Sequence, residues 1–353
     1  MTGSRLQTLI KDKDVAFITV KNRDYIRVSQ IERIIKKNAR NYRMLTSEKR
    51  NPVIRTIDIL RKIKKLNGID ADVVILGFLP QLIWKSVQSK AEGDSDTSCM
   101  CLKDEPLYIA DFFISLFDTI VLDRKYISNR SPVAKALKKL DERVLREAGF
   151  IITDTKADAD FFSDNFEISR DKFEALYLEA DRKIYHTTDF FDNDKERHNF
   201  PKTKVLYFGT GLPLQGTDVV MEAFLKLSAG KDFYCTYVGS TKRISKSLLK
   251  NAAESDNIRI IDWLNQEELS KEIGKSDVCL AGHFNPDIDK ADRTIPGKAL
   301  IYEAMGKTMI LGDTKANHEI FKEDSKHFFV KRGDADALAR SVADICEING
   351  QKT

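Results

Sequence analysis

Short apolar runs alternate with amphipathic stretches along nearly the whole chain, and that alternation limits the fold more than any other feature. Residues 15–20 (Val15, Ala16, Phe17, Ile18, Thr19, Val20) read as a buried strand, and 28–37 as a helix. A shorter strand follows at 42–45. Residues 53–66 then bring Ile54, Ile57, Leu60, Ile63 and Leu66 near helical spacing, before a third strand at 73–77 that ends in Gly77. Strand followed by helix, repeated, calls for a parallel sheet with helices on both faces.

The series pauses twice. Residues 88–105 turn polar and read as a surface loop. Order resumes with strands at 107–111 and 150–153, helices at 132–148 and 156–165, and a strand near Leu176. The second pause, 181–204, is charged and irregular. Beyond it a new series runs through strands at 205–208, 233–238, 258–261, 278–281 and 309–311, a helix at 218–227 and a last helix at 335–348. The chain of 353 residues is long enough for two domains, each with its own core. We therefore expect an α/β protein of two doubly wound, Rossmann-like domains facing a cleft. The first is 1–183, the linker 184–203 and the second 204–334, with the helix in 335–353 able to pack back on the first. Ligands of such sheets collect beyond the carboxyl ends of the strands.

Composition narrows the setting. The longest runs poor in charge, 73–84 and 109–122, are broken by Pro80 and by Asp111 and Asp118. Neither approaches the roughly 18 apolar residues of a membrane span. Residues 1–5 lack the apolar core of a secretory signal, so the expected location is cytoplasmic. Five cysteines are present, and the Cys99–Cys101 pair has no matching second pair; His283 and His318 are not at zinc-ligand spacing. Reduced, structural thiols fit best. The net charge of +4 conceals an asymmetry, because residues 1–66 hold eighteen Lys/Arg against six Asp/Glu. Solvated helix faces account for any one of these cations. The segment as a whole suits an anionic membrane surface, with the protein peripheral at the inner face. Nucleic acid is disfavoured, since the cations are not interleaved with stacking aromatics.

Two segments carry the chemistry. In 207–218, Gly209, Thr210, Gly211, Gln215 and Gly216 lie where a strand passes into a helix; glycine there lets backbone approach a phosphate, and a helix start favours its charge. In 290–298, Arg293 and Lys298 bracket a turn with Thr294, Ile295, Pro296 and Gly297 between them. Planar donors and a point charge together suit a diphosphate.

In this order, on successive strand–helix units, the segments resemble the donor half of GT-B glycosyltransferases, in particular the retaining family 4 type. The resemblance spans about 205–345. It adds Asp262 and Trp263 after one strand, Gly282, His283 and Phe284 after another, and the run Ala304-Met305-Gly306-Lys307. A shorter resemblance, to a bacterial branch, covers 111–125 and 153–162. It implies a sugar, of hexosyl type, moved from a UDP- or GDP-linked donor to a lipid-linked or other glycan acceptor, as in polysaccharide biosynthesis. It further implies retention of configuration, with no metal and no cofactor. Arg293 and Lys298 would stabilise the leaving diphosphate, and Asp118 would handle a proton. Gly209, Thr210, Gly211, Gln215, Gly216, Asp262, Trp263, Gly282, His283, Phe284, Thr294, Ile295, Pro296, Gly297 and Glu303 would hold the donor; Asp123, Arg124 and Lys125 would face the acceptor. The Asp-Ala-Asp triplets at 70–72, 158–160 and 334–336 read more simply as turns or helix starts than as metal motifs.

The chain also departs from that pattern. Thr210 and Gln215 stand where charges are common. Ile301 occupies the place of a ribose-binding glutamate, and Glu303 replaces it only if the helix start has shifted. No glycine turn follows the first strand. The alternative these departures leave open is a non-catalytic GT-B partner subunit that stabilises an active transferase.

Overall fold

The computed structural model describes residues 4–91, 105–187, 202–230 and 232–350. The expected Cys99–Cys101 pair lies outside these, as do residues 188–201 of the expected linker. The chain divides into two units, Met1–Leu178 and Glu179–Thr353.

The first unit is built on a six-stranded sheet in the order β2-β1-β3-β4-β5-β6, parallel throughout. Its strands are β1 (Asp14–Thr19), β2 (Asn41–Leu45), β3 (Val73–Gly77), β4 (Leu107–Asp111), β5 (Phe150–Thr153) and β6 (Phe173–Ala175). Strand alternation feeds a core on each face. Phe17, Ile75 and Ile109 go to one, with Val28, Ile31 and Ile35 of helix α2 (Ile26–Asn38); α1 (Arg5–Ile10) adds Leu6 and Ile10. Ile18, Val74 and Leu76 go to the other, with Ile59 and Ile63 of α3 (Pro52–Lys64) and Val87 of α4 (Trp84–Ala91). Burial on both faces is why these strands read as continuous apolar runs. Local chemistry sets the helix starts. Asn51 accepts from the amides of Val53 and Ile54 ahead of α3. Ser131 accepts from Ala134 ahead of α5 (Pro132–Glu147), whose first residue is a proline. Thr155 does the same for α6 (Lys156–Phe166), accepting from Asp158.

The second unit repeats the plan with a different winding, β12-β11-β10-β7-β8-β9, again all parallel. The strands are β7 (Thr203–Gly209), β8 (Phe233–Gly239), β9 (Ile258–Ile261), β10 (Val278–Gly282), β11 (Thr308–Gly312) and β12 (His327–Val330). The helices are α7 (Thr217–Ser228), α8 (Lys246–Ala253), α9 (Gln266–Lys275), α10 (Lys290–Arg293), α11 (Gly297–Ala304) and α12 (Ala335–Gly350). Val220, Met221, Phe224 and Leu227 of α7 join Val205, Tyr207, Cys235 and Tyr237 in one core. Leu338, Val342 and Ile345 of α12 enter that same core, so the helix expected to reach back toward the first domain spends its buried face on the second. Cys235 and Cys279 are buried free thiols; that burial pushes the Cys235 pKa well up and that of Cys279 to about 12.

Candidate active site

In the second sheet β7 and β10 are neighbours: the strand order runs one way from β7 to β9 and the other way from β10 to β12. Such a reversal leaves a crevice beyond the carboxyl ends of the two strands. Here those ends are Gly209 and Gly282, and the two loops that leave them are laced together. Phe284 donates its amide to the Gln215 carbonyl (3.3 Å), and Asn285 to that of Leu214 (3.4 Å). The Asn285 side chain donates to the Pro213 carbonyl at 2.8 Å. Gly216 makes this approach feasible. Its φ is +63°, and a Cβ there would lie 2.6 Å from the Asn285 nitrogen.

Lys298 stands in the first turn of α11, is only 6% exposed, and its Nζ has no hydrogen-bond partner among the described residues. Instead it lies 3.8 Å from the centroid of the Tyr207 ring on β7. Burial holds its pKa well below the ordinary 10.5. An ammonium without a hydrogen-bonding partner in so dry a place is costly unless an anion joins it. Helix α11 itself starts on Pro296, which provides no side-chain cap, and open space surrounds the position where Gly297 would carry a Cβ. Its first amides are therefore available to a negative group. Thr294 Oγ1, four residues before Lys298, and His283 Nδ1, just past the end of β10, are also buried without a hydrogen-bond partner among the described residues. Burial above all, then Lys298, Arg332 and Lys290, depresses the His283 pKa well below 6.5, so the ring is neutral.

The glycine loop is organised differently from its sequence expectation. The Gln215 side-chain carbonyl accepts from the amides of Gly211 (2.9 Å) and Leu212 (3.1 Å), two of the donors that a phosphate would have used. Gly209 is pinned beneath them: a Cβ would meet the Tyr207 hydroxyl at 2.7 Å and Gln215 Oε1 at 2.8 Å. Thr210 is exposed on the loop. Arg293 is buried at the end of α10, where its Nε donates to Asp289 at 3.2 Å. Ile295 and Pro296 are buried between the two short helices, and Phe284 is a core side chain. Asp262 and Trp263 follow the carboxyl end of β9, with Trp263 74% exposed.

Glu303 is not brought to this place. It lies at the far end of α11, and its Oε2 is 2.7 Å from Nε2 of His327 at the start of β12, the opposite edge of the sheet from the crevice. Three turn-forming triplets find local uses. An Asp72 oxygen accepts from the Asp14 amide, Asp158 sits in the first turn of α6, and Asp334 accepts from Ala337 at the start of α12. Among the described residues no group of three or more His, Cys, Asp or Glu could hold a metal ion.

In the first unit, Asp118 and Asp123 open and close a π-helical turn, Asp118–Asp123, and both are buried. Arg124 pairs with Asp123 at 3.3 Å, and Lys125, at φ +53°, is exposed. What sequence reasoning missed is the centre of that sheet's carboxyl edge. Arg27, fully buried, donates Nε and Nη2 to Asp111 Oδ1 at 3.0 and 2.9 Å, and binds the carbonyls of Thr153 and Leu176. Asp111 also accepts from the Phe78 amide at 3.2 Å. Lys21 lies 4.6 Å from the Tyr25 ring centroid and 5.0 Å from that of Phe78, its pKa lowered by burial and then by Arg55. The signal available was a cation in the first turn of the helix that follows β1, facing an aspartate at the end of β4. In the second unit the missed residues are Tyr207, which carries Lys298, and Arg332. Arg332 follows β12 and donates to the carbonyls of Asn285 and Ile288, at 3.1 Å each.

Residues 202–347 match the family described as Glycosyl transferases group 1. No curated protein matches the chain by sequence. Among solved structures the fold is similar to Anabaena HepE in complex with UDP (TM-score 0.63, 11% identity, 95% of this chain and 90% of that one). It is also similar to sucrose-phosphate synthase from Thermosynechococcus elongatus (TM-score 0.61, 11% identity, 95% and 90%). A glycosyltransferase from Rickettsia africae is a third (TM-score 0.59, 16% identity, 96% and 89%). The architecture is that of the two Rossmann-like domains of a GT-B glycosyltransferase. The second unit carries a glycosyl transferases group 1 domain.

Proposed function

We propose that the chain moves a sugar from a UDP- or GDP-type donor to a glycan or lipid-linked glycan acceptor, with retention of configuration and without a bound metal. One observation carries the reading: Lys298 is buried with no hydrogen-bonding partner among the described residues, at the uncapped start of α11 beside the strand-order reversal. A diphosphate would satisfy the Lys298 Nζ, the first amides of α11 and Thr294 Oγ1 together. Negative charge grows on that diphosphate as the glycosidic bond breaks, so the same cation and amides would favour departure. Arg293 would join by exchanging the exposed Asp289 carboxylate for a phosphate oxygen. The base would lie toward Asp262 and Trp263. The HepE neighbour, crystallised with UDP, supports a nucleotide of this kind.

A thermal-shift panel of UDP, GDP and other nucleoside diphosphates, with and without EDTA, tests the reading. Stabilisation by one of them that persists in EDTA is the expected result. No response to any, or a response abolished by EDTA, contradicts it. Release of free sugar from one donor without acceptor would then show turnover.

One observation favours a second reading. Gln215 already occupies the Gly211 and Leu212 amides, and Ile301 offers no carboxylate to a ribose. A partner subunit that keeps the fold and stabilises an active transferase would look so; it would give no nucleotide shift and no sugar release.

A further inference from the structure

Helix α3 carries an outward face with no counterpart elsewhere among the described residues. Of the large hydrophobic side chains exposed there, three sit on this one helix: Val53 (67%), Ile54 (53%) and Ile57 (43%). Its other side is committed to the core through Ile59 and Ile63. At 100° per residue, Val53, Ile57 and Ile54 fall on the same outer arc as Arg61 and Lys64, with Lys65 just beyond; all six are exposed. The apolar residues lead and the cations follow, one or two turns on.

The turn before the helix is basic too and is held in place. Arg55 is buried and donates to the carbonyls of Lys49 (2.8 Å) and Arg50 (2.6 Å), while the side chains of Lys49 and Arg50 remain exposed. The single acid of α3, Asp58, is already engaged by Ser47 at 2.6 Å and Lys62 at 3.1 Å. An apolar wedge is thus flanked at both ends by exposed cations.

We propose that this face of α3 docks on an anionic lipid bilayer, with Val53, Ile54 and Ile57 entering the interface and Lys49, Arg50, Arg61, Lys64 and Lys65 meeting headgroup phosphates. Charge complementarity selects that occupant. Pairing with a second copy would set cations against cations, since both ends of the face are basic whichever way two helices align. Nucleic acid would meet the cations and leave the apolar wedge in water. A bilayer uses both halves. The inference localises the anionic-surface association expected of residues 1–66 and does not depend on the donor site.

Co-sedimentation of the full chain with vesicles at physiological salt tests it, comparing neutral phosphatidylcholine with phosphatidylcholine mixed with phosphatidylglycerol. Binding to the anionic vesicles alone is expected. R61E/K64E/K65E should weaken partitioning by about a hundredfold, from roughly fivefold per cation. I54D/I57D should abolish most of the rest, although every cation remains. K11E/K13E, exposed residues just after α1, which packs on the opposite face of the same sheet, should bind nearly as the parent does. The melting temperature of each protein without nucleotide reports folding and keeps this test separate from the donor reading. Indifference to lipid charge, equal losses in K11E/K13E, or undiminished binding by I54D/I57D would overturn the proposal. So would a dimer in solution that I54D/I57D dissociates while vesicles go unbound.

Discussion

Replacing Lys298 by methionine should move stability and ligand binding in opposite directions. The stem of Lys298 is buried beside Tyr207, and methionine nearly fills its volume without the charge. In the free protein the ammonium is desolvated and lacks a hydrogen-bonding partner among the described residues; the Tyr207 ring face 3.8 Å away, with the Phe208 ring at 5.8 Å, is what compensates it. That contact offsets roughly 2 kcal/mol when desolvated, whereas the penalty for a buried, incompletely paired ion amounts to several kcal/mol. K298M should therefore unfold at a higher temperature, by about 1–2 kcal/mol of stability. Its pH dependence should change with it. Because the folded pKa lies below 10.5, the native state binds fewer protons than the unfolded chain across that interval. The penalty is present in full below the folded pKa and is relieved as pH rises toward 10.5, so the parent gains stability on alkalisation. K298M should lose that slope. Binding runs the other way. A charge-assisted contact to a diphosphate in a dry site is worth about 3 kcal/mol, so UDP or GDP affinity should fall by roughly a hundredfold. Denaturant melts at several pH values and titration calorimetry on the two proteins read all three effects. A lower melting point with unchanged nucleotide affinity would refute the reasoning, since it would make Lys298 a packing residue only.

Three further perturbations follow from the same geometry. Removing Gln215 as alanine frees the Gly211 and Leu212 amides, so stability should fall by about 1–3 kcal/mol while nucleotide affinity rises, measured by melts and calorimetry; a fall in both would show that the amide side chain itself holds the ligand. R27A leaves Asp111 buried without its partner and should cost about 3–5 kcal/mol in denaturant unfolding, and a cost under ~1 would contradict a buried pair that braces the first sheet. Because His283 is depressed below 6.5, its share of stability is present above that pH and lost on acidification toward the folded value; H283F should flatten the melting-temperature profile below pH 6.5, and an unaltered acid limb would place the titrating group elsewhere.

Strand positions were legible because burial on both sides of a parallel sheet leaves an uninterrupted apolar signature. The runs at 73–77, 107–111, 150–153 and 258–261 match their strands residue for residue. β12 was not legible: His327-Phe328-Phe329-Val330 is short and follows a charged turn. Helix α4 was half hidden by the polar residues after Gln88, and α1 and α8 are too short for periodicity to stand out. The second sheet's site was visible in outline, because glycines and cations at strand ends mark where backbone and anion meet. Its internal arrangement was not. That Gln215 turns back on Gly211, that Glu303 faces His327, and that Lys298 rests on Tyr207 depend on side chains from elements up to 91 residues apart. Arg27 and Asp111 escaped for the same reason: each is an ordinary charge locally, and only the order β1-β3-β4 carries one to the other.

A crystal of the chain grown with UDP would address the central claim most directly. The account predicts the diphosphate at the start of α11, Lys298 Nζ drawn off the Tyr207 ring onto a phosphate oxygen, and the amides of Gly297 and Lys298 within hydrogen-bonding reach. A nucleotide bound elsewhere, with Lys298 still seated on Tyr207, would contradict it.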